Sequence, residues 1–140
     1  MSDVPILPPT IDDIETLGIE ALATIPESLR RRIEDVIIRV EEFPDEETEA
    51  AMGLESPFDL LGLYRGATLA NRISSAALPS VDMILLYRRP MLDYWCETGE
   101  DLAGIVRHVL IHEIGHHFGL SDEDMERIEA SAADELDEID

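Results

Sequence analysis

Two imidazoles stand four residues apart in the stretch His112-Glu113-Ile114-Gly115-His116-His117-Phe118-Gly119-Leu120-Ser121-Asp122. A carboxylate lies beside the first, a glycine follows the second, and an aspartate closes the run. On a helix, residues four apart lie about 40° from each other around the axis and roughly 6 Å along it. The ring nitrogens of His112 and His116 can therefore aim at one point roughly 2 Å from each, the length of a zinc–nitrogen bond. Glu113 is rotated about 100° from His112, so it stands beside such an ion, placed to take a proton from a water held there. Helices commonly end on a left-handed residue, which glycine adopts without steric cost, so the chain can turn at Gly119 and bring Asp122 back beneath the ion. His112, His116 and Asp122 with a fourth position open to water is the arrangement of a catalytic metal site, whereas a structural site is closed by four protein ligands. The alternative is a helix whose histidines merely hydrogen-bond inside the fold; Gly119 and Asp122 in register weigh against it.

The helix that must position these groups runs from about Gly99 to Phe118. Leu102, Ile105, Val106, Val109, Leu110, Ile111, Ile114 and Phe118 leave it little polar face, the pattern of a buried helix. Arg107, His108, His112, Glu113, His116 and His117 are then polar groups in or near a core and need partners. His108 lies roughly 12 Å along the axis from His116, too far for one ion to bind both, and is expected to be satisfied within the fold. His117 falls on the side of Val106 and Leu110 and is expected to be structural.

The spacing His112-Glu113-x-x-His116-x-x-Gly119-x-x-Asp122 resembles the zincin metallopeptidase signature in its extended metzincin form, with aspartate in place of the third histidine. More closely, the chain resembles the small bacterial zincin-like (minimal) metallopeptidases. That resemblance also rests on Gly62-Leu63-Tyr64-Arg65-Gly66, on Ile84-Leu85-Leu86-Tyr87-Arg88-Arg89-Pro90 and on Val109-Leu110-Ile111 before the first histidine. It implies His112, His116 and Asp122 as metal ligands and Glu113 as general base. It also implies a sheet packed over the metal helix, with an edge strand bordering the cleft; Leu63–Gly66 is the segment expected there, able to hold an extended peptide by main-chain hydrogen bonds. The chain departs from the metzincin pattern in one respect. Only 18 residues follow Asp122, and Met125, expected inside the next helix, comes too soon to form a methionine turn.

Length, charge and cysteine content narrow the class. The 140 residues suit one domain over 1–140, and a 45% hydrophobic content is enough for a modest core. The single cysteine, Cys96, excludes an internal disulfide and fits a reducing compartment; it is expected to be a small core or helix residue. The start Met1-Ser2-Asp3-Val4-Pro5 lacks the features of a signal peptide, and no apolar run reaches the roughly 20 residues of a membrane span, so a cytoplasmic protein is expected. The net charge is −22, and all ten basic residues are arginines. Nucleic acid and anionic membrane both require a basic face and are excluded as partners; neutral or cationic peptides or proteins remain. The oligomeric state is left open.

In chain order, residues 1–9 carry Pro5, Pro8 and Pro9 and are expected to form an extended arm. Thr10 caps a predicted helix to about Ala23, and Glu27–Glu34 makes a second after Pro26. Val36–Val40 is a β-branched strand. An acidic turn then leads to an exposed helix near Glu46–Ala51, and a second strand spans Leu61–Ala67. Asn71–Ser80 connects to a third strand, Val81–Tyr87, which Arg88-Arg89-Pro90 should stop, with a short helix near Met91–Cys96. Thr98 with Asp101 is the predicted capping box of the metal helix, and Ser121 with Asp124 that of a last helix toward Leu136; about 137–140 form a frayed acidic tail. The order implies an α+β fold with helices on one face of a short mixed sheet, packed against a central metal-binding helix. The expectation is a zinc-dependent peptidase, with other divalent transition metals allowed by the same ligands. The alternative is a zinc-binding interaction or regulatory protein that keeps a peptidase-like site with little activity. Tyr64, Tyr87, Tyr94 and Arg65 are each chemically able to stabilise an oxyanion, and spacing does not choose among them.

Overall fold

The computed structural model of the chain describes residues 7–66 and 82–139, with side chains in the last helix described to Ala130. The expectations for the start of the arm, for the Asn71–Ser80 connection and for the acidic tail beyond Ala130 lie wholly or partly outside them. Thr10 starts helix α1 (Ile11–Ala23) by a complete capping box: its hydroxyl accepts from the Asp13 amide, and the Asp13 carboxylate accepts from the Thr10 amide. Helix α2 (Glu27–Arg30) follows Pro26 and tightens into a 3-10 turn over Arg31–Ile33. Strand β1 (Ile37–Glu41), helix α3 (Glu46–Met52) and strand β2 (Gly62–Arg65) come next, α3 capped by Asp45 and ended by left-handed Gly53.

Strand β3 (Met83–Tyr87) is central in the order β1-β3-β2, parallel to β1 and antiparallel to β2. The sheet is therefore mixed, and β2 is an edge. Ile84 and Leu86 face the main core, in which α1 and the long helix α5 (Leu102–Phe118) meet through Ile14, Val106, Leu110, Ile111 and Ile114. Helices on one face alone do not describe the sheet, however. Leu85 and Tyr87, on the opposite side of β3, are also buried, beside Phe43 and Asp45 ahead of α3. The near-continuous apolar run of β3 is the mark of a strand covered on both sides.

Two helix boundaries differ from the sequence expectation for identifiable reasons. Arg88-Arg89-Pro90 ends β3 at Tyr87 as expected, but it also opens helix α4 (Arg88–Thr98), which starts ahead of the expected Met91, because the first-turn amides have no intrahelical acceptor and proline loses nothing there. Gly99 is left-handed and ends α4, and Asp101 alone caps α5, accepting from the Gly104 amide. The Thr98 hydroxyl accepts from Glu100 instead. The last helix, α6 (Asp122–Ile139), begins after Ser121, whose hydroxyl accepts from the Asp124 amide. No helix among the described residues is long and apolar enough to cross a membrane.

The edge strand and α5 are pressed together at Gly62. A Cβ there would lie 2.5 Å from Val109 Cγ1 and 3.1 Å from the Leu85 carbonyl oxygen, and neither a β-branched side chain on a buried helix nor a sheet carbonyl can yield cheaply. Gly62→Ala should therefore lower stability by about 1–3 kcal/mol, read as a drop in the urea midpoint; an unchanged midpoint would show that β2 does not sit this close to α5.

Candidate metal centre

Helix α5 ends at Gly119, whose φ of 72° is left-handed. The Leu120 amide returns to the Gly115 carbonyl at 2.8 Å and the Gly119 amide to that of His116 at 3.3 Å, the double closure of a glycine-terminated helix. The chain then reverses, and α6 runs back along α5. Met125 is buried beneath Gly115, and Glu129, one turn further along α6, reaches His112 and His108. Met125 is thus a helix residue, as the sequence indicated, and it packs directly under the segment carrying the two histidines of the motif.

Glu113 is half-buried, and one carboxylate oxygen accepts from the Tyr64 backbone amide at 3.3 Å. The source of that amide follows from strand geometry. Tyr87 N–H donates to Leu61 C=O, and in an antiparallel pair alternate residues face inward, so Gly62 and Tyr64 turn their main-chain groups to the outer side of β2, which pairs with no further strand among the described residues. Burial pushes the Glu113 carboxyl above its ordinary value; the Tyr64 amide and the nearby His116 draw it back in part. A carboxyl whose pKa is raised holds a proton more readily than an ordinary surface carboxylate, which suits it to take up and return one.

The row His108, His112, His116 lies along α5. The rings of His112 and His116 are 6.0 Å apart between centroids, and those of His108 and His112 4.1 Å apart. His112 turns its Nε2 toward Glu129 Oε1, at 3.0 Å, and His108 places its Nδ1 2.8 Å from the same oxygen. Among the described residues, His108, His112 and Glu129 are the group whose candidate ligand atoms all lie within 4.8 Å of one another. His116 is exposed, and Asp122 is exposed in the first turn of α6; neither belongs to that group.

Imidazole nitrogens with a carboxylate oxygen are what zinc accepts, and one observation fits an ion here. Glu129 Oε1 is buried and has no hydrogen-bond partner among the described residues, although two ring nitrogens stand within 3.0 Å of it. Neither ring aligns an N–H with it, so two ring nitrogens and a carboxylate oxygen converge on a common space without a hydrogen bond between them. A buried acceptor in that state is costly unless a cation meets it. Sequence reasoning passed over Glu129 and set His108 aside. Glu129 is one of several carboxylates on an acidic helix, and the signal that could have singled it out is its spacing of seven from Asp122, which places both on one side of α6.

The remaining candidates are placed more simply. Tyr64 donates its hydroxyl to Asp82 at 2.7 Å, and burial and that carboxylate both push its ionisation up. Its ring stacks on His117 at 3.9 Å between centroids, so His117 lies against the edge strand at the surface rather than within the core. Tyr87 is buried, and Arg65 is exposed next to Gly66. Tyr94 borders a cleft of about 630 Å³ that also touches Asp101, His108 and Glu129. This cleft opens over the His108 end of the row and is not lined by Glu113 or His116. Cys96 is an exposed residue of α4.

A profile of the family described as zincin-like metallopeptidase matches residues 33–132, from the end of the 3-10 turn through most of α6. Comparison with curated proteins gives no match. The bend that joins α5 to α6 can be tested directly. Gly119→Ala should cost about 1 kcal/mol, because an L side chain at φ 72° is strained, and the melting temperature should fall by several degrees. A variant as stable as the parent would mean that the hairpin does not depend on a left-handed residue.

Proposed function

Because the chain belongs to the zincin-like metallopeptidase family, we propose that it is a zinc-dependent peptidase in which His112, His116 and Asp122 hold the ion during turnover and Glu113 is the general base. The observation that carries this reading is the setting of Glu113: half-buried, raised in pKa, one residue from His112, and in contact with the free edge of β2. A zinc ion held there would acidify a water and polarise the scissile carbonyl. The chain's own groups would do the rest. The edge strand offers the outward main-chain groups of Gly62 and the Tyr64 carbonyl to an extended peptide, which would lie as an added strand, while the Tyr64 amide holds Glu113. Glu113, already hydrogen-bonded to that edge, would take the proton from the attacking water and deliver it to the leaving amine. With a net charge of −22, the protein favours neutral or cationic peptides over acidic ones.

A second reading, a zinc-holding protein with little turnover, is favoured by one observation: His112 Nε2 faces Glu129 and not the His116 side. Hydrolysis of an unbiased peptide library by the zinc-loaded chain separates the two readings. Glu113→Gln should retain zinc and lower the rate by 1000-fold or more, on the order of the loss expected when a general base and its electrostatic role are removed together; cleavage that persists unchanged in this variant would remove Glu113 from the reaction. Asp122→Ala should weaken zinc binding tenfold or more, measured as metal content after dialysis against a buffered zinc series. Retention at the parent level with Glu129→Gln also in place would exclude Asp122 as a ligand.

A further inference from the structure

The hairpin of α5 and α6 carries two rungs of ligand-bearing residues instead of one. On α5, His108, His112 and His116 repeat every four residues, spanning about 12 Å. On α6, Asp122 and Glu129 are seven apart, two turns or about 10 Å. Since α6 runs back along α5, Asp122 belongs to the bend near His116, and Glu129 to the far end near His108. The lower rung is the set proposed above for turnover. The upper rung is the one whose atoms the structure brings together.

We infer that His108, His112 and Glu129 form a second holding position for a divalent metal ion, and that it excludes the catalytic position because both draw on His112 Nε2. One nitrogen lone pair bonds one ion, so the two positions cannot be filled together. Zinc with bonds of about 2.0–2.2 Å at tetrahedral angles sets its ligands roughly 3.3–3.5 Å apart. The contacts of 2.8 and 3.0 Å to Glu129 Oε1 would have to open by about half an ångström, within reach of side-chain rotation. The unpartnered, buried Glu129 oxygen would gain the cation it lacks, and the cleft beside Tyr94 and Asp101 gives the ion a way in, since His108 and Glu129 line it. An ion at this upper position is held without His116 or Asp122, so the chain can carry zinc in a resting state from which the shared histidine must turn to restore the catalytic set. The inference uses the catalytic assignment only for the exclusion; the upper site itself stands on its own three residues.

The test is a zinc titration by calorimetry of the metal-free full-length chain, with far-ultraviolet circular dichroism checking that each variant is folded. Asp122→Ala removes the lower rung. In that background, Glu129→Gln, which keeps shape and hydrogen-bonding capacity, and His108→Ala, at a largely exposed side chain, each remove one upper ligand. Asp122→Ala should still bind zinc, each second substitution should weaken that binding tenfold or more, and zinc should shift the side-chain nitrogen resonances of His108. No zinc binding in Asp122→Ala, second substitutions that change affinity less than tenfold, or His108 resonances that stay in place would each overturn the second position. If Asp122→Ala binds zinc as tightly as the parent while Glu129→Gln abolishes binding, the upper position stands and the Asp122 assignment fails, so the two assignments are judged separately.

Discussion

A largely buried helix cannot leave polar groups unmatched where they meet the core, and α5 carries His112 and Glu113 half-buried beside its apolar face, with His108 and His117 at its border. The cost of each unmet group is of the order of 1–3 kcal/mol, comparable to a substantial part of the stability of a small domain. The structure meets these demands from three directions. Glu113 is taken by the Tyr64 amide of the sheet edge. His117 leaves the core to stack on the Tyr64 ring, whose hydroxyl is in turn held by Asp82. His108 and His112 turn to Glu129 of the following helix. Only the last arrangement is incomplete as hydrogen bonding, and it is there that a cation is wanted.

The surrounding fold follows from holding that helix in place. Apolar residues of α1 and β3 cover one side of α5, Met125 fills the space under Gly115, and Gly62 lets the edge strand approach closely enough for its outward amide to reach Glu113. The Glu113 carboxylate is thus set between a helix and the edge of the described sheet. The hairpin closed at Gly119 gives the carboxylates of α6 access to the histidines of α5, and its length allows more than one such meeting.

Features set by neighbours in sequence were legible in the sequence: the Thr10 capping box, the left-handed Gly119, the helix under the histidine motif and the strands near Ile37, Gly62 and Met83 each depend on interactions within a few residues. The family and the α+β class were legible as well, through the histidine motif and the two strand segments that accompany it. What escaped was decided at longer range or by finer competition. The helix after β3 starts at Arg88 and not near Met91, because the first turn of a helix accepts Pro90. Covering of the second face of β3 depends on where the acidic segment before α3 folds back. The partnership of Glu129 with His108 and His112 depends on the register between two helices, which no local pattern encodes, and the abundance of carboxylates in α6 hides the one that matters.

That zinc is held on α5 through His112 is the claim on which the chemistry depends, and anomalous diffraction at the zinc edge from crystals of the zinc-loaded chain tests it most directly. A peak about 2 Å from His112 Nε2, within the α5–α6 hairpin and with Glu113 beside it rather than bonded to it, is the expected result. Zinc bound elsewhere with His112 unligated, or no ordered zinc at all, would contradict it.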